Sequence, residues 1–248
     1  MCSSDLLAEM ERAADRLPEA RRYERAAAQI KASFAKVFWN PDAPGGPRLS
    51  DWIAYDGEKV TYAADVCQFP AVALGLLSEE QASQLLATLD ARIAELERDY
   101  NYAGAGSLSA YWPVPDHINY LHLWQRNFPI YMNCGSFLAQ TYWEVMARAQ
   151  AGDRAGALER LQKWGEAGLE HSFMGNNWVQ VDGRVGLGAA DEPYLSDLIA
   201  VPAALVQGLL GVELSWDKID VTPRLPKGWR EASVDVIWKC QLQHIAIK

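Results

Sequence analysis

Three segments of this chain are apolar on almost every side, and each follows a segment with the pattern of an amphipathic helix. The amphipathic segments repeat apolar residues at three- and four-residue steps and carry charges on the opposite face. A helix that is apolar all round must be surrounded by protein, so the two kinds form an inner and an outer set. The outer segments are Glu19–Phe38, Glu79–Tyr100 and Asp153–Glu170, and the inner ones are Tyr62–Leu77, Gly135–Ala149 and Tyr194–Leu210.

This alternation predicts concentric layers of helices, which is a toroid. Ser78 and Asp153 stand where N-caps of two outer helices are expected. Neighbouring helices in such a fold run in opposite directions, so every second connection lies at the same end. The long connections Trp39–Lys59, Asp99–Met132 and Ser172–Glu192 are therefore expected to meet on one face.

The pattern also predicts domain boundaries. After Gly211 the apolar period becomes two, as in Ser233–Trp238, so residues 214–248 are expected to be strands of a C-terminal β domain. Residues 7–213 are expected to form the helical unit. Residues 1–6 are expected to be adapter-derived, because Cys2–Leu6 reads like the translated end of a sequencing adapter. Both ends of the chain are expected to be cut.

Charge and cysteine usage exclude several classes of protein. A net charge of −9 argues against a surface that binds nucleic-acid phosphates. No apolar run reaches the roughly 18 residues of a membrane helix without a polar break. The four cysteines are far apart and form no C-x-x-C pair, which favours buried thiols and a cytoplasmic location. These residues are Cys2, Cys67, Cys134 and Cys240.

The residues that remain for chemistry are carboxylates and aromatic rings. The sequence contains no G-x-S-x-G, Walker loop, dinucleotide-binding glycine motif or H-E-x-x-H. His117 and His122 are poorly spaced as metal ligands, and no third ligand is apparent. We therefore expect neither a metal nor another cofactor. Ten Trp and ten Tyr suit the apolar faces of sugar rings, so an oligosaccharide or glycoside is the expected substrate.

A series of short motifs follows in a fixed order between about residues 30 and 248. They are Tyr131–Phe137, Gly152–Ala155, Asp191–Tyr194, Gly208–Glu213 and Val221–Trp229. In this order the motifs resemble the six-hairpin glycosidase clan, which includes cellobiose and chitobiose phosphorylases and α-L-rhamnosidases. The resemblance implies a mainly α chain that forms the C-terminal half of an (α/α)6 toroid followed by a short β segment. It also implies a carbohydrate-active enzyme, most simply an inverting glycoside hydrolase.

Departures from the clan's pattern refine this expectation. Cys134 replaces the second glycine of the phosphorylase motif, and Met132 stands where glutamate is common. The phosphate-binding stretch that follows Glu-Pro-Tyr in phosphorylases is absent, which favours hydrolysis over phosphorolysis. The resemblance places the general acid on a loop upstream of residue 1, so the isolated chain is expected to be inactive. An open half-toroid would also expose one apolar flank of its inner helices, so the isolated chain is expected to aggregate.

The candidate catalytic residues are Glu192 and Asp191, at the end of the third long connection. An inverting enzyme needs a carboxylate base opposite its acid, and a helix N-terminus favours the ionised form. Glu192 is the preferred base, and Asp191 is the preferred N-cap. Glu144 is expected to be a buried structural carboxylate, because it lies 11 residues after Asn133, about 16 Å along the helix. The candidate substrate-binding residues are Asp51, Trp52, Tyr55, Asp56, Trp112, Asp116, Asn133 and Trp178.

Three alternatives remain open at this point. The same aromatic residues would serve a non-catalytic sugar-binding protein. A glycoside phosphorylase is the second alternative. A polysaccharide lyase is the third, because His117, Asn119 and Tyr120 supply the residue types that such an enzyme uses.

Overall fold

The computed structural model describes residues 3–100, 107–115, 128, 133–171, 177–181, 184–187 and 195–248. Within these ranges lie seven α-helices, and a π-helical turn, Leu205–Leu209, continues the last of them. The helices are α1 Ser3–Ala13, α2 Leu17–Phe38, α3 Asp65–Ala73, α4 Glu79–Tyr100, α5 Leu138–Gln150, α6 Arg154–His171 and α7 Leu195–Ala204.

Twelve strands in the same ranges form five antiparallel sheets. Four of these sheets are pairs, β1–β2, β3–β4, β9–β10 and β11–β12, and the fifth has the order β5-β6-β7-β8. The strands are β1 Trp39–Asn40, β2 Arg48–Leu49, β3 Trp52–Ile53, β4 Lys59–Val60, β5 Ser107–Leu108, β6 Ser136–Phe137, β7 Asn177–Val181, β8 Arg184–Leu187, β9 Val212–Leu214, β10 Ile219–Val221, β11 Ala232–Trp238 and β12 Gln241–Ile247.

The prediction of a mainly α half-toroid is wrong. The described part of the chain is about 52% helical, and small antiparallel sheets alternate with the helices along it. The sheets β1–β2, β3–β4 and β5–β8 occupy or adjoin the three connections that were expected to be loops. Most of these strands have only two residues, too few to show a period of two in the sequence. The fold is therefore a mixture of helices and short sheets.

Helix α3 is shorter than the predicted segment Tyr62–Leu77. It cannot begin earlier, because Ala63 has a φ of 56°, outside the helical region. It ends at Ala73, and Gly75, two residues later, has a φ of 64° that suits the left-handed residue after a helix. The N–H of Leu76 then bonds to the carbonyl of Ala71 at 2.9 Å, which completes the cap.

The two predicted N-caps are confirmed. The Ser78 hydroxyl accepts the N–H of Gln81 at 3.2 Å, and the Gln81 side chain accepts the N–H of Ser78 at 3.1 Å. This reciprocal pair is a capping box at the start of α4. Asp153 Oδ1 accepts the N–H of Gly156 at 2.9 Å, at the start of α6.

The apolar face of α4 lies at the centre of the main core. The apolar residues that recur at three- and four-residue steps along α4 form a stripe that is buried at all five positions, and this stripe packs with Phe69 of α3 and with Tyr111. The stripe consists of Leu85, Leu86, Leu89, Ile93 and Leu96. Helix α3 packs against α5, and α5 packs against both α6 and α7. The apolar helices therefore contact one another in chain order.

The two ends of the chain pack locally. Residues 3–6 belong to α1, which packs on α2, and Asp5 pairs with Lys31 at 3.4 Å. At the other end, Leu210, Val212 and Ile247 form a small core that joins the π-helical turn to the last sheets. No helix within the described ranges has both the length and the apolar character needed to cross a membrane.

Candidate functional site

Backbone hydrogen bonds join the three long connections next to the starts of α3 and α5. The carbonyl of Tyr62 accepts the N–H groups of Tyr111 at 3.1 Å and Trp112 at 3.0 Å, and Ala64 pairs with Ala110. Strand β6, which directly precedes α5, pairs with β5 on one side and β7 on the other. The starts of the predicted inner segments, at Tyr62–Ala64 and Ser136–Phe137, thereby link described parts of the connections. We call this region the loop junction; it comprises Asp51–Ala64, Ser107–Val114, Asn133–Phe137 and Asn177–Val181.

Asp51 anchors the start of α3. Its Oδ1 accepts the N–H of Ala64 at 2.6 Å, and its Oδ2 accepts the N–H of Ala63 at 2.9 Å. The amide of Gln68 donates a longer bond to Oδ1 at 3.3 Å. These bonds satisfy N–H groups at a helix start that no residue of the helix itself caps. They also hold Ala63 in its left-handed conformation, so Asp51 has a structural task.

The Asp51 carboxyl also borders a small cavity. Burial raises its pKa to about 6, although the backbone N–H groups and Gln68 act to lower it. The cavity has a volume of about 250 Å³ and lies between the end of α2 and α3. Phe34, Phe38 and Pro70 contribute to its mainly apolar wall. This weakly acidic carboxyl is one that can exchange a proton near neutral pH.

Arg48 is the largest fully buried side chain among the described residues. Its guanidinium donates to the carbonyls of Thr61, at 2.6 and 3.0 Å, and of Pro44, at 2.8 Å. The guanidinium carbon lies 3.9 Å from the centre of the Trp112 ring, a cation–π contact. Burial lowers the pKa of Arg48 to about 10, so it stays charged at neutral pH. Arg48 thereby fixes the ring of Trp112 beside the first connection.

Trp52, the residue after Asp51, is the next aromatic residue of the loop junction. Its half-buried ring meets the Tyr62 ring edge-on, with centroids 5.4 Å apart. The carbonyl of Tyr62 also accepts the N–H of Trp112, so Tyr62 contacts both tryptophans. The structure thus brings Asp51, Trp52 and Trp112 together.

Asn133 lies inside the junction. It is buried, and its Oδ1 accepts the N–H of Val114 at 2.9 Å, two residues after Trp112. The next residue, Cys134, is buried with a φ of 85°, a conformation that favours glycine. Burial raises the pKa of the Cys134 thiol to about 12, which keeps it protonated.

Three other predicted binding residues, Tyr55, Asp56 and Trp178, also belong to the loop junction. Tyr55 is fully exposed and Asp56 is exposed in the turn between β3 and β4, where Asp56 Oδ1 accepts the N–H of Glu58. Trp178 lies in β7 opposite Ser136. Three predicted site residues lie outside the described residues. These are Asp116, Asp191 and Glu192.

Glu144 forms the centre of a buried ionic network, in agreement with its predicted structural role. Its carboxylate pairs with Arg160 at 2.9 Å and Arg148 at 3.0 Å, and accepts the Ser107 hydroxyl at 2.5 Å. Burial alone would raise the pKa of Glu144, but the two arginines and Ser107 together lower it below its usual value. Arg148 also pairs with Asp90 and Asp153. This network ties the junction to α4, α5 and α6.

No group of three or more His, Cys, Asp or Glu side chains in the described residues is arranged to hold a metal ion. No protein-family model matches the chain, and no curated protein matches it. Among solved structures, a chain described as a sialidase aligns with 98% of this chain at a TM-score of 0.65 and 13% identity. The fold is shared with part of a sialidase. The chain spans 22% of the length of that sialidase, and at this identity the likeness establishes the fold alone.

Two residues of the site have roles that sequence reasoning missed. Arg48 follows a Pro/Gly-rich stretch, where a charged residue is normally read as solvated. Gln68 sits in an apolar helix, and its buried amide bonds to both backbone groups of Leu49. A lone polar residue within an apolar helix is the signal that would have identified Gln68, because buried polar groups require partners.

Proposed function

We propose that the chain is part of a carbohydrate-active protein and that it binds a saccharide at the loop junction. The observation that carries this proposal is the assembly of Trp52, Tyr62 and Trp112 with buried polar residues where three chain segments meet. The fold shared with part of a sialidase, a glycoside hydrolase, supports it.

The chemistry of the junction suits sugars. Pyranose rings present apolar C–H faces that stack on indole and phenol rings, and their hydroxyls bind polar side chains. Trp52 is half-buried, so it can offer ring surface while it remains fixed by Tyr62. Asp51 supplies a carboxyl with a pKa of about 6 directly before Trp52.

The finer proposal is that the protein is an inverting glycoside hydrolase related to the six-hairpin glycosidase clan. It rests on the order of the motifs along the sequence. In this proposal Glu192 is the general base, Asp191 caps the following helix, and the general acid comes from a preceding segment. Tyr55, Asp56, Asp116, Asn133 and Trp178 are proposed to contribute to sugar binding.

The binding proposal is tested by titrating the chain with a panel of neutral and acidic oligosaccharides while tryptophan fluorescence is followed. We expect Trp52→Ala to weaken binding about tenfold or more, because it removes stacking surface worth roughly 1–2 kcal/mol. Trp229→Ala is the matched control, since Trp229 is also partly exposed and lies outside the loop junction. Equal affinity of the Trp52→Ala variant and the native chain would refute binding at the junction.

The catalytic proposal is tested in a longer protein that carries this chain and cleaves a glycoside. Glu192→Gln should lower kcat by several orders of magnitude with little change in KM, and azide should partly restore turnover. The first-formed sugar product should have the inverted anomeric configuration in NMR spectra. Phosphate-dependent cleavage, an unsaturated product or binding without cleavage would instead identify a phosphorylase, a lyase or a non-catalytic protein.

A further inference from the structure

Two turns of the C-terminal sheets meet at one exposed surface, away from the loop junction in the sequence. The first turn links β9 and β10 and contains Trp216; the second links β11 and β12 and contains Lys239. The indole N–H of Trp238 donates to the carbonyl of Ser215 at 2.8 Å, which joins the two turns. We call Trp216, Trp238 and Lys239 the turn platform.

The first turn is held rigidly, yet its tryptophan is left in solvent. The N–H of Ser215 donates to the carbonyl of Lys218 at 3.0 Å, and the Ser215 hydroxyl accepts the N–H of Lys218 at 3.3 Å. Despite this order, Trp216 is 75% exposed. The indole of Trp216 is carried by an ordered turn but contributes little to the core, so its surface is available to a ligand.

Lys239 places a positive charge beside this surface. Its Nζ lies 4.4 Å from the centre of the Trp238 ring and 5.8 Å from that of Trp216. No carboxylate of the described residues forms an ion pair with Lys239, whereas the nearby Lys218 pairs with Asp220 at 2.8 Å. In a chain of net charge −9, this ammonium is a local cation that contacts two indole rings.

The second turn adopts a costly backbone conformation. Lys239 has a φ of 50° and Cys240 a φ of 61°, values that two-residue hairpin turns usually reach with Asn-Gly. A residue with a side chain pays about 1 kcal/mol in this region. Lysine at this point gives the turn an ammonium that glycine or asparagine would not supply.

We propose that the turn platform is a second saccharide-binding site, which takes a pyranoside bearing a carboxylate. The sugar ring stacks on the exposed indole of Trp216, and its carboxylate binds the ammonium of Lys239. Asp217 directly follows Trp216 in the sequence, and its carboxylate accepts a hydrogen bond from the Ser215 hydroxyl at 3.0 Å. This inference goes beyond the proposed function because it concerns a different set of residues and requires no catalysis.

The experiment compares two tetrasaccharides by isothermal titration of the whole chain, one of galacturonic acid and one of galactose. We expect the acidic sugar to bind more tightly than the neutral one, by about tenfold, with the difference reduced at high salt. Trp216→Ala should lower affinity for the acidic sugar about tenfold or more. Lys239→Gln should reduce it to that of the neutral sugar.

Lys218→Gln is the matched control, because it removes an exposed lysine of the first turn that is already paired with Asp220. It should leave both affinities unchanged. Equal binding of the two sugars, or no loss in Trp216→Ala, overturns the proposal. Trp52→Ala separates the two sites. Acidic-sugar binding that depends on Trp52 and not on Trp216 refutes the turn platform alone, whereas an unchanged affinity of Trp52→Ala for both sugars refutes the loop junction alone.

Discussion

Replacing Asp51 by asparagine tests which of two opposing effects on the pKa of the Asp51 carboxyl is the larger. Burial raises its pKa to about 6, from an ordinary value of 3.8, and the N–H groups of Ala63 and Ala64 act in the other direction. Asparagine keeps the shape and one acceptor oxygen but removes the titration. The pH dependence of the difference in stability between the two proteins therefore reports on Asp51 alone.

The size and sign of the expected change in stability follow from the linkage between proton binding and folding. The folded protein holds this proton more tightly than the unfolded chain, so the stabilising contribution is complete below about pH 4 and is lost as the pH rises through about 6. A pKa raised by about two units corresponds to about 3 kcal/mol in full. Between about pH 4.5 and about pH 7.5, the free energy of unfolding of the native protein should fall by about 2 kcal/mol relative to Asp51→Asn.

Urea unfolding followed by tryptophan fluorescence and circular dichroism measures this difference at each pH. Asp56→Asn is the control for the loss of one negative charge, since Asp56 lies exposed in the next turn. The reasoning is refuted if the native protein gains stability relative to Asp51→Asn as the pH rises. That result would mean that the hydrogen bonds from Ala63 and Ala64 outweigh burial.

Two further substitutions test the packing of the site. Glu144→Gln should lower the free energy of unfolding by about 3–5 kcal/mol in urea titrations, because Arg148 and Arg160 would keep buried charges without their shared partner. The control is Glu97→Gln, which removes an exposed partner of Lys163 and should change the free energy of unfolding by less than about 1 kcal/mol. Similar losses in both variants would show that the buried network does not contribute more than an exposed ion pair. Cys134 has a φ of 85°, so the Cys134→Gly variant should be more stable than Cys134→Ala by about 1 kcal/mol in thermal unfolding. Equal stability of the two variants would show that this backbone conformation carries no cost.

The helices could be predicted because their signals are local. The stripe of α4 and the caps of α4 and α6 depend on residues within a few positions of one another, and all were found in place. Helix α1 was not predicted, and its first four residues lie in the segment that was read as adapter-derived. The short strands escaped prediction because a two-residue strand such as β2 is defined only by its distant partner.

The role of Asp51 shows why the site was harder to predict than the helices. From sequence it is a carboxylate beside a tryptophan, which suggests sugar binding. In the structure its oxygens bind N–H groups 12 and 13 residues away, at a helix start that has no cap of its own. Arg48 likewise gains its partners only when Thr61 and Trp112 fold against it. Such roles depend on tertiary contacts that no local pattern encodes.

The loop junction is held mainly through main-chain groups, at Tyr62 with Tyr111 and Trp112, at Ala64 with Ala110, and along β5, β6 and β7. Every residue except proline carries the same N–H and C=O groups, whatever its side chain. Substitutions that change the surface offered to a ligand therefore leave these attachments intact. A framework of this kind tolerates the exchange of many side chains, and the chain indeed shares its fold with a structure at only 13% identity.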